Sequence, residues 1–200
     1  MASIMKMSED DFDDALSVAL DVIRSKGVFI YPTDTVYGIG GDATSKEVVA
    51  KIHRIKGSSA DKPLSVMVSD FDMLDQYCDT GLWEDMVLEK YLPGPYTFIV
   101  KERNQLPVSN TGRLGVRIPN HRFCRDLCRL FEKPIISTSA NLHGSHPPDR
   151  FSEIDPKLLD KVVLALDSGR TKQGGPSAII DLVDKTMIRA NGQVVKLLEE

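Results

Sequence analysis

Six stretches of this chain place hydroxyls, glycines and cations where a buried segment opens into a loop. The first is YPTDTVYGIGGDA (31–43), where Thr33 and Thr35 flank Asp34 and Tyr37 precedes Gly38, Gly40 and Gly41. Glycines let a ligand approach the backbone, and threonine hydroxyls both donate and accept. The second is IHRIKGSSADKPL (52–64), where Lys56 and Lys62 bracket a Gly-Ser-Ser loop that would suit a polyphosphate. In the third, LGVRIP (114–119), strand alternation puts Arg117 on the face of Gly115, opposite Val116 and Ile118. That guanidinium is placed either to bind a carboxylate or phosphate bidentately or to close a structural salt bridge. The fourth is STSAN (137–141), with Ser137, Thr138, Ser139 and Asn141 at the C-terminal end of a strand, where open α/β sheets bind ligands. The fifth is GGPSAIID (174–181) with Ser177, and the sixth is Arg189 before an Asn-Gly turn.

Other chemistries find little support. GIGG lacks the dinucleotide fingerprint spacing, and no phosphate-binding P-loop occurs. No Ser-His-Asp order stands out. His143 and His146 form an H-x-x-H on a loop without helical metal-ligand geometry and read as solvent-exposed, and His53 reads as a helix-surface residue. Asp34 and Asp42 are candidate metal ligands or bases that nothing in the sequence pairs. Hydroxyls, cations and glycines without an activated nucleophile act by positioning reactants and stabilising developing charge.

The elements that would hold these loops follow from periodicity. Ser8 with Asp11 resembles a capping box, and Phe12, Ala15, Leu16, Ala19 and Ile23 follow at helical spacing until Gly27. Further helices are expected at 45–56, 70–77, 82–92 and 121–131, the last with Phe123, Leu127, Leu130 and Phe131 facing the core. Strands are expected at 28–31, 64–68, 96–101, 114–118, 134–138, 162–166, 177–181, 187–190 and 193–197. Some strand pairs have no helix between them, so the pattern predicts one α/β domain over 1–200 with a mixed parallel and antiparallel sheet.

Composition sets the bounds. The 200 residues have a formal net charge of −4, 42% apolar and 27% charged residues, which is ordinary globular chemistry and excludes a generally basic nucleic-acid coat. The balance is uneven, because 113–133 carries Arg113, Arg117, Arg122, Arg125, Arg129 and Lys133 against only Asp126 and Glu132. Arg122, Arg125 and Arg129 read as a solvated helix face. The first residues are too acidic for a signal peptide, and no window approaches the roughly 18 apolar residues of a membrane span. Cys78, Cys124 and Cys128 form a sparse odd set that fits core packing in a reducing, cytoplasmic compartment.

YPTDTVYGIG, KIHRIKG with KPLSVMV, LPGPYTFIV, LGVRIPNH, STSANLHG and PSAIIDL together resemble the YrdC-like family, in the family's order and over about 10–190. PGPYTFIVK and STS also resemble its YciO branch. The resemblance implies a twisted mixed sheet flanked by helices around a concave basic cavity. It implies a nucleotidyltransferase that makes threonylcarbamoyl-AMP and pyrophosphate from L-threonine, bicarbonate and ATP, with Mg2+, for a downstream tRNA-modifying complex. It makes Lys56, Ser139 and Asn141 catalytic, and gives Thr35, Arg117 and Ser177 to threonine. Lys62, Ser137, Pro147 and Arg189 fall to the nucleotide, and Thr33, Tyr37, Ser58 and Met67 to the cavity wall.

Two departures stand out. Ser58 replaces the arginine of the family's K-x-R, with Arg54 and Arg113 as candidate substitutes, and Met67 stands where a histidine is common. They favour, as an alternative, a non-catalytic nucleotide- or RNA-binding protein, with tRNA or double-stranded RNA as partner. A carbamoyl-transfer role like that of the related domain in hydrogenase-maturation proteins ranks third. The second domain that extends longer synthases is expected to be absent.

Overall fold

The structure, a computed structural model, describes residues 2–191, so the strand expected at 193–197 lies outside the described residues. The chain runs through β1 (Ser3–Lys6), α1 (Phe12–Arg24), β2 (Phe29–Tyr31), β3 (Gly38–Gly40), α2 (Lys46–Lys56) and β4 (Val66–Met67). It continues through α3 (Phe71–Tyr77), β5 (Cys78–Asp79), α4 (Leu82–Tyr91), β6 (Tyr96–Glu102), β7 (Arg113–Arg117) and α5 (Arg122–Phe131). Then come β8 (Ile135–Ile136), β9 (Thr138–Ser139), α6 (Pro156–Leu159), β10 (Leu164–Asp167), β11 (Ala178–Asp181) and β12 (Thr186–Arg189).

The strands form two mixed sheets. One runs β1-β10-β2-β3-β9, and the other runs β12-β11-β6-β7-β4-β8 with β5 also on β6. In the first sheet β1, β10 and β2 are parallel, while β3 returns antiparallel to β2. One contiguous hydrophobic cluster ties the sheets to their helices. The segment 135–139 passes from one sheet to the other: β8 pairs with β4, and β9 pairs with β3. Ser137 sits at this crossing and donates its N–H to Ser65 O at 2.8 Å.

Helix ends explain where loops begin. Ser45 caps α2 by accepting from Val48 N at 3.4 Å, and Gly57 closes it in the left-handed region at φ +64°, a conformation that costs glycine little. The expected box at α1 forms only in part, with Asp11 N donating to Ser8 Oγ at 3.3 Å. Ser8 donates to the Asp11 carboxylate at 2.6 Å, and the helix starts only at Phe12. Leu130, expected in the core, is half exposed at the edge of α5, whereas Phe123 and Leu127 are buried. Cys78, Cys124 and Cys128 are all buried free thiols, and burial pushes Cys78 up to about 12.

Three short strands, β1, β3 and β5, escape the sequence pattern. β1 has only one half-buried side chain, so it shows no alternation to read. β3 is the glycine run that looks like a turn, yet it is a central strand because neighbours press on it. A Cβ at Gly40 would fall on the Ile136 carbonyl oxygen and within 3.0 Å of the Tyr31 ring. Gly40→Ala is therefore expected to destabilise the fold by about 1–3 kcal/mol, read as a lowered thermal midpoint. An unchanged midpoint would show that this approach is not tight.

Candidate active site

Thirteen of the fourteen expected site residues line one cavity of about 480 Å³. They come from the ends of α2, β7, β9 and β12, from the loops after β2, α2, β8 and β9, and from the residue before β11. Met67 is the exception. It lies fully buried in β4, within the core and away from the cavity wall, because its short strand is flanked by β7 and β8.

The loop after β2 is built by its own threonines. Thr33 Oγ1 donates to Val36 O at 2.7 Å and lies 2.9 Å from Thr35 Oγ1. Thr35 O accepts from Thr171 Oγ1 at 2.6 Å. Tyr37 is a structural wall residue: its hydroxyl donates to Gly169 O at 3.0 Å and accepts from Ser168 N at 3.1 Å.

Asp34 is paired, contrary to the sequence expectation. Its carboxylate takes the Arg117 Nη2 at 2.5 Å and the Asn120 N–H at 3.0 Å, with both charged groups nearly inaccessible. The salt bridge left open for Arg117 thus exists, but it does not exhaust the guanidinium. Nη1 donates to Thr35 Oγ1 at 3.2 Å, and buried Nε has no partner among the described residues. A buried unmet N–H costs about 1–3 kcal/mol, so an acceptor arriving there is favoured.

Lys56 ends α2 with only 8% of its surface exposed. Its ammonium donates to Ser139 O and, at 3.0 Å, to Asn141 O, while its own carbonyl accepts from His143 N at 3.0 Å. Burial, and secondarily the nearby Lys62 charge, lowers the Lys56 ammonium to about 8. Ser139 and Asn141 shape the loop that holds it: Ser139 Oγ donates to Asn141 Oδ1, and the Asn141 amide donates to Leu142 O and Ser145 O at 3.0 and 2.6 Å.

Across the cavity, Ser177 Oγ lies 2.9 Å from Thr97 Oγ1 and accepts from Arg189 Nη2 at 3.2 Å. Arg189 Nε also donates to Ser177 O at 2.8 Å, and burial followed by the Arg117 charge lowers its affinity for its proton. Thr97 is a site residue that sequence reasoning missed. Its signal was a hydroxyl inside the apolar run YTFIV, where a buried threonine needs a partner.

Ser58 stands where the sequence resemblance leads us to expect a second cation, and its Oγ sits 3.0 Å from His53 Nδ1. His53 is buried against this loop rather than on the surface. Neither expected substitute reaches the cavity. Arg113 is held by Asp181 and Asp184 at 2.9 and 2.5 Å, and Arg54 lines a separate groove. Lys62 lies near exposed His143 instead, with Nζ 3.4 Å from Nδ1, and both line the cavity mouth. Arg122 and Arg129, by contrast, pair with Asp126 on the helix surface, as expected.

The result is a hydroxyl-lined hollow with Lys56, Lys62, Arg117 and Arg189 in its wall and no carboxylate lining it among the described residues. Cations this close lower one another's proton affinity, and an anion between them relieves that repulsion.

The family model for Sua5, YciO and YrdC proteins, described as "Telomere recombination", matches residues 21–191. A threonylcarbamoyl-AMP synthase of Klebsiella pneumoniae is 31% identical over 182 residues, covering 88% of this chain and 95% of that protein. One from Pyrococcus abyssi is 29% identical over 206 residues, covering all of this chain but 61% of that protein. Among solved structures, P. abyssi Sua5 complexed with L-threonine superposes with a TM-score of 0.81 at 28% identity, over 92% of this chain and 54% of that one. Escherichia coli YciO superposes with a TM-score of 0.86 at 25% identity, over 99% of this chain and 100% of that one. With residues 21–191 matched by the family model and 88% of its length aligned to a relative at 31% identity, this chain belongs to the Sua5/YciO/YrdC family.

Proposed function

We propose that this chain is an L-threonylcarbamoyladenylate synthase, a nucleotidyltransferase that forms threonylcarbamoyl-AMP and pyrophosphate from L-threonine, bicarbonate and ATP. The observation that carries this reading is the convergence of Lys56, Lys62, Arg117 and Arg189 in one hydroxyl-lined cavity. The synthase relatives and the threonine-bound Sua5 neighbour support it. The product would serve threonylcarbamoyladenosine formation in tRNA through a downstream complex in the cytoplasm. No helix of the described residues is long and apolar enough to cross a membrane.

In this reading the Arg117 guanidinium, with Nε free to donate, takes the threonine carboxylate beside Thr35. The threonine amine adds to the bicarbonate carbon with loss of water, giving a carbamate. A carbamate oxygen then attacks the α-phosphorus of ATP, and pyrophosphate leaves. Both partners are anionic, so the cations serve to bring them together and to hold the charge that moves to the leaving group. Lys56 and Lys62 face the phosphates from one side and Arg189 from the other. Asn141 and Ser139 act by shaping the loop whose carbonyls orient Lys56. With no carboxylate in the wall among the described residues, the cavity does not build a resident magnesium site. Magnesium enters here as part of the ATP substrate, carried on phosphate oxygens.

The test is incubation with L-threonine, bicarbonate and magnesium ATP while pyrophosphate is followed. Release that requires threonine is expected, and release independent of threonine, or none, rejects the reading. Ser58 favours one alternative, a nucleotide-binding protein without efficient turnover, because its hydroxyl faces His53 where the resemblance expects an arginine. That alternative predicts ATP binding without threonine-dependent pyrophosphate.

A further inference from the structure

A second cavity, of about 530 Å³, lies at the opposite end of the first sheet and takes no part in this reaction. The reaction cavity opens past the C-terminal ends of the parallel strands, where Thr33 follows β2. The second cavity lies at their N-terminal ends. Val28 leads into β2 and Val163 leads into β10, and the two segments are joined by Val163 N donating to Val28 O at 2.9 Å. Ile55 of α2 completes the apolar floor. Val28 and Ile55 are almost buried, but Val163 is 57% exposed, so apolar surface is left open at the bottom of a concavity.

Cations ring this floor. Lys26, Lys51, Arg54 and Lys161 all line it, and no acidic residue does among those described. Two of them are already engaged. Glu47 takes Lys51 at 2.8 Å and Lys26 at 3.6 Å, and Lys51 also reaches Lys26 O. Arg54 and Lys161 have no carboxylate partner among the described residues. A solvated helix face accounts for Arg54 alone. It does not account for Arg54 of α2 and Lys161 of the turn before β10 both lining an exposed apolar floor, on a chain whose net charge is negative.

Small-ligand sites are concave, mainly apolar and oriented by a few polar groups. This cavity has that form, with cations as the only charged groups lining it among the described residues. We propose that it is a binding site for a small amphiphilic anion: an apolar body seated on Val28, Ile55 and Val163, with a carboxylate held by Arg54 and Lys161. The charge pattern disfavours a cationic amphiphile, and the apolar floor distinguishes the site from a simple phosphate patch. The assignment is independent of the threonylcarbamoyl reading, although α2 carries Arg54 and Ile55 on this side and Lys56 on the other.

The probe is sodium decanoate, titrated into the isotope-labelled full chain and followed by amide resonances. Saturable shifts are expected around Val28, Ile55 and Val163, with the Thr35 and Arg117 amides unmoved. Decylamine, with the same chain and opposite charge, should bind at least about tenfold more weakly, and so should decanoate to an Arg54→Glu/Lys161→Glu variant. Val163→Asp, a change at an exposed position, should have a similar effect without altering the fold's spectrum. Equal response to decylamine, undiminished binding by the charge-reversed variant, or shifts centred on exposed Leu82 and Met86 would overturn the proposal. So would the absence of saturable shifts. Tighter binding of a Glu/Leu peptide than of decanoate would overturn it in favour of a protein partner.

Discussion

Arg117→Met will raise the threonine requirement and destabilise the fold together, and adding Asp34→Asn will separate the two effects. Arg117 and Asp34 are both almost wholly buried and share a 2.5 Å ion pair. Removing the guanidinium leaves the Asp34 carboxylate in the interior with the Asn120 N–H as its remaining hydrogen bond. Breaking one side of such a pair typically costs about 3–5 kcal/mol, a large part of ordinary domain stability. In urea unfolding the midpoint should fall with little change in slope. In the double variant no buried charge is orphaned, and asparagine can still accept from Asn120. Most of the stability should therefore return. Threonine dependence should not, because the carboxylate clamp is gone in both variants. Losing a charge-assisted contact of about 1.5–3 kcal/mol corresponds to a roughly 10–100-fold higher threonine KM. A double variant as unstable as the single one would refute the buried-charge account. An unchanged threonine KM in either variant would refute the role given to Arg117.

The second large effect is a pH dependence carried by Lys56. Burial, then Lys62, lowers this ammonium to about 8 from an ordinary 10.5. Phosphate binding needs the charged form. ATP affinity should hold below pH 8 and fall as pH rises past it, by up to about tenfold per pH unit. Lys56→Met should lower affinity at neutral pH and flatten this profile. Stability has the opposite sign. The folded chain releases the Lys56 proton near 8, whereas the unfolded chain keeps it until about 10.5. Between those values the unfolded state binds more protons, so this group adds stability as pH rises, at most ~1.4 kcal/mol per unit. Below 8 both states are protonated and the full burial penalty stands. The difference in stability between wild type and Lys56→Met, followed across this window, isolates the group. A difference that does not change with pH would show that the ammonium titrates normally.

How much of this was legible beforehand depends on what each residue interacts with. α2 was readable from Ser45 to Gly57 because its cap, its apolar stripe and its left-handed stop are all local. Lys56, Arg117, Ser139 and Ser177 were readable as candidates because each lies at a strand or helix end in a motif with a chemical pattern. The long strand β6 was readable from its apolar run, but Thr97 within it was not singled out. Its importance comes from Ser177, 80 residues away. Leu130 and His53 were misplaced for a related reason. Helical periodicity says which residues share a face, but not how far the neighbouring layer extends over it.

By itself the sequence determined the mixed α/β class, most element positions and the set of hydroxyls and cations from which the site is made. These follow from side-chain periodicity, caps and motif order, which are short-range properties. The tertiary structure alone decided how those groups are spent. It divided the strands between two sheets and carried 135–139 across them, so that β9 and α2 meet around Lys56. It paired Asp34 with Arg117 and left one guanidinium N–H free. It withdrew Met67 into the core, turned Ser58 to His53 and tied Arg113 to Asp181 and Asp184. Each of these outcomes is a choice among partners far apart in the chain. Desolvation and geometry settle such choices only after the fold has brought the partners together.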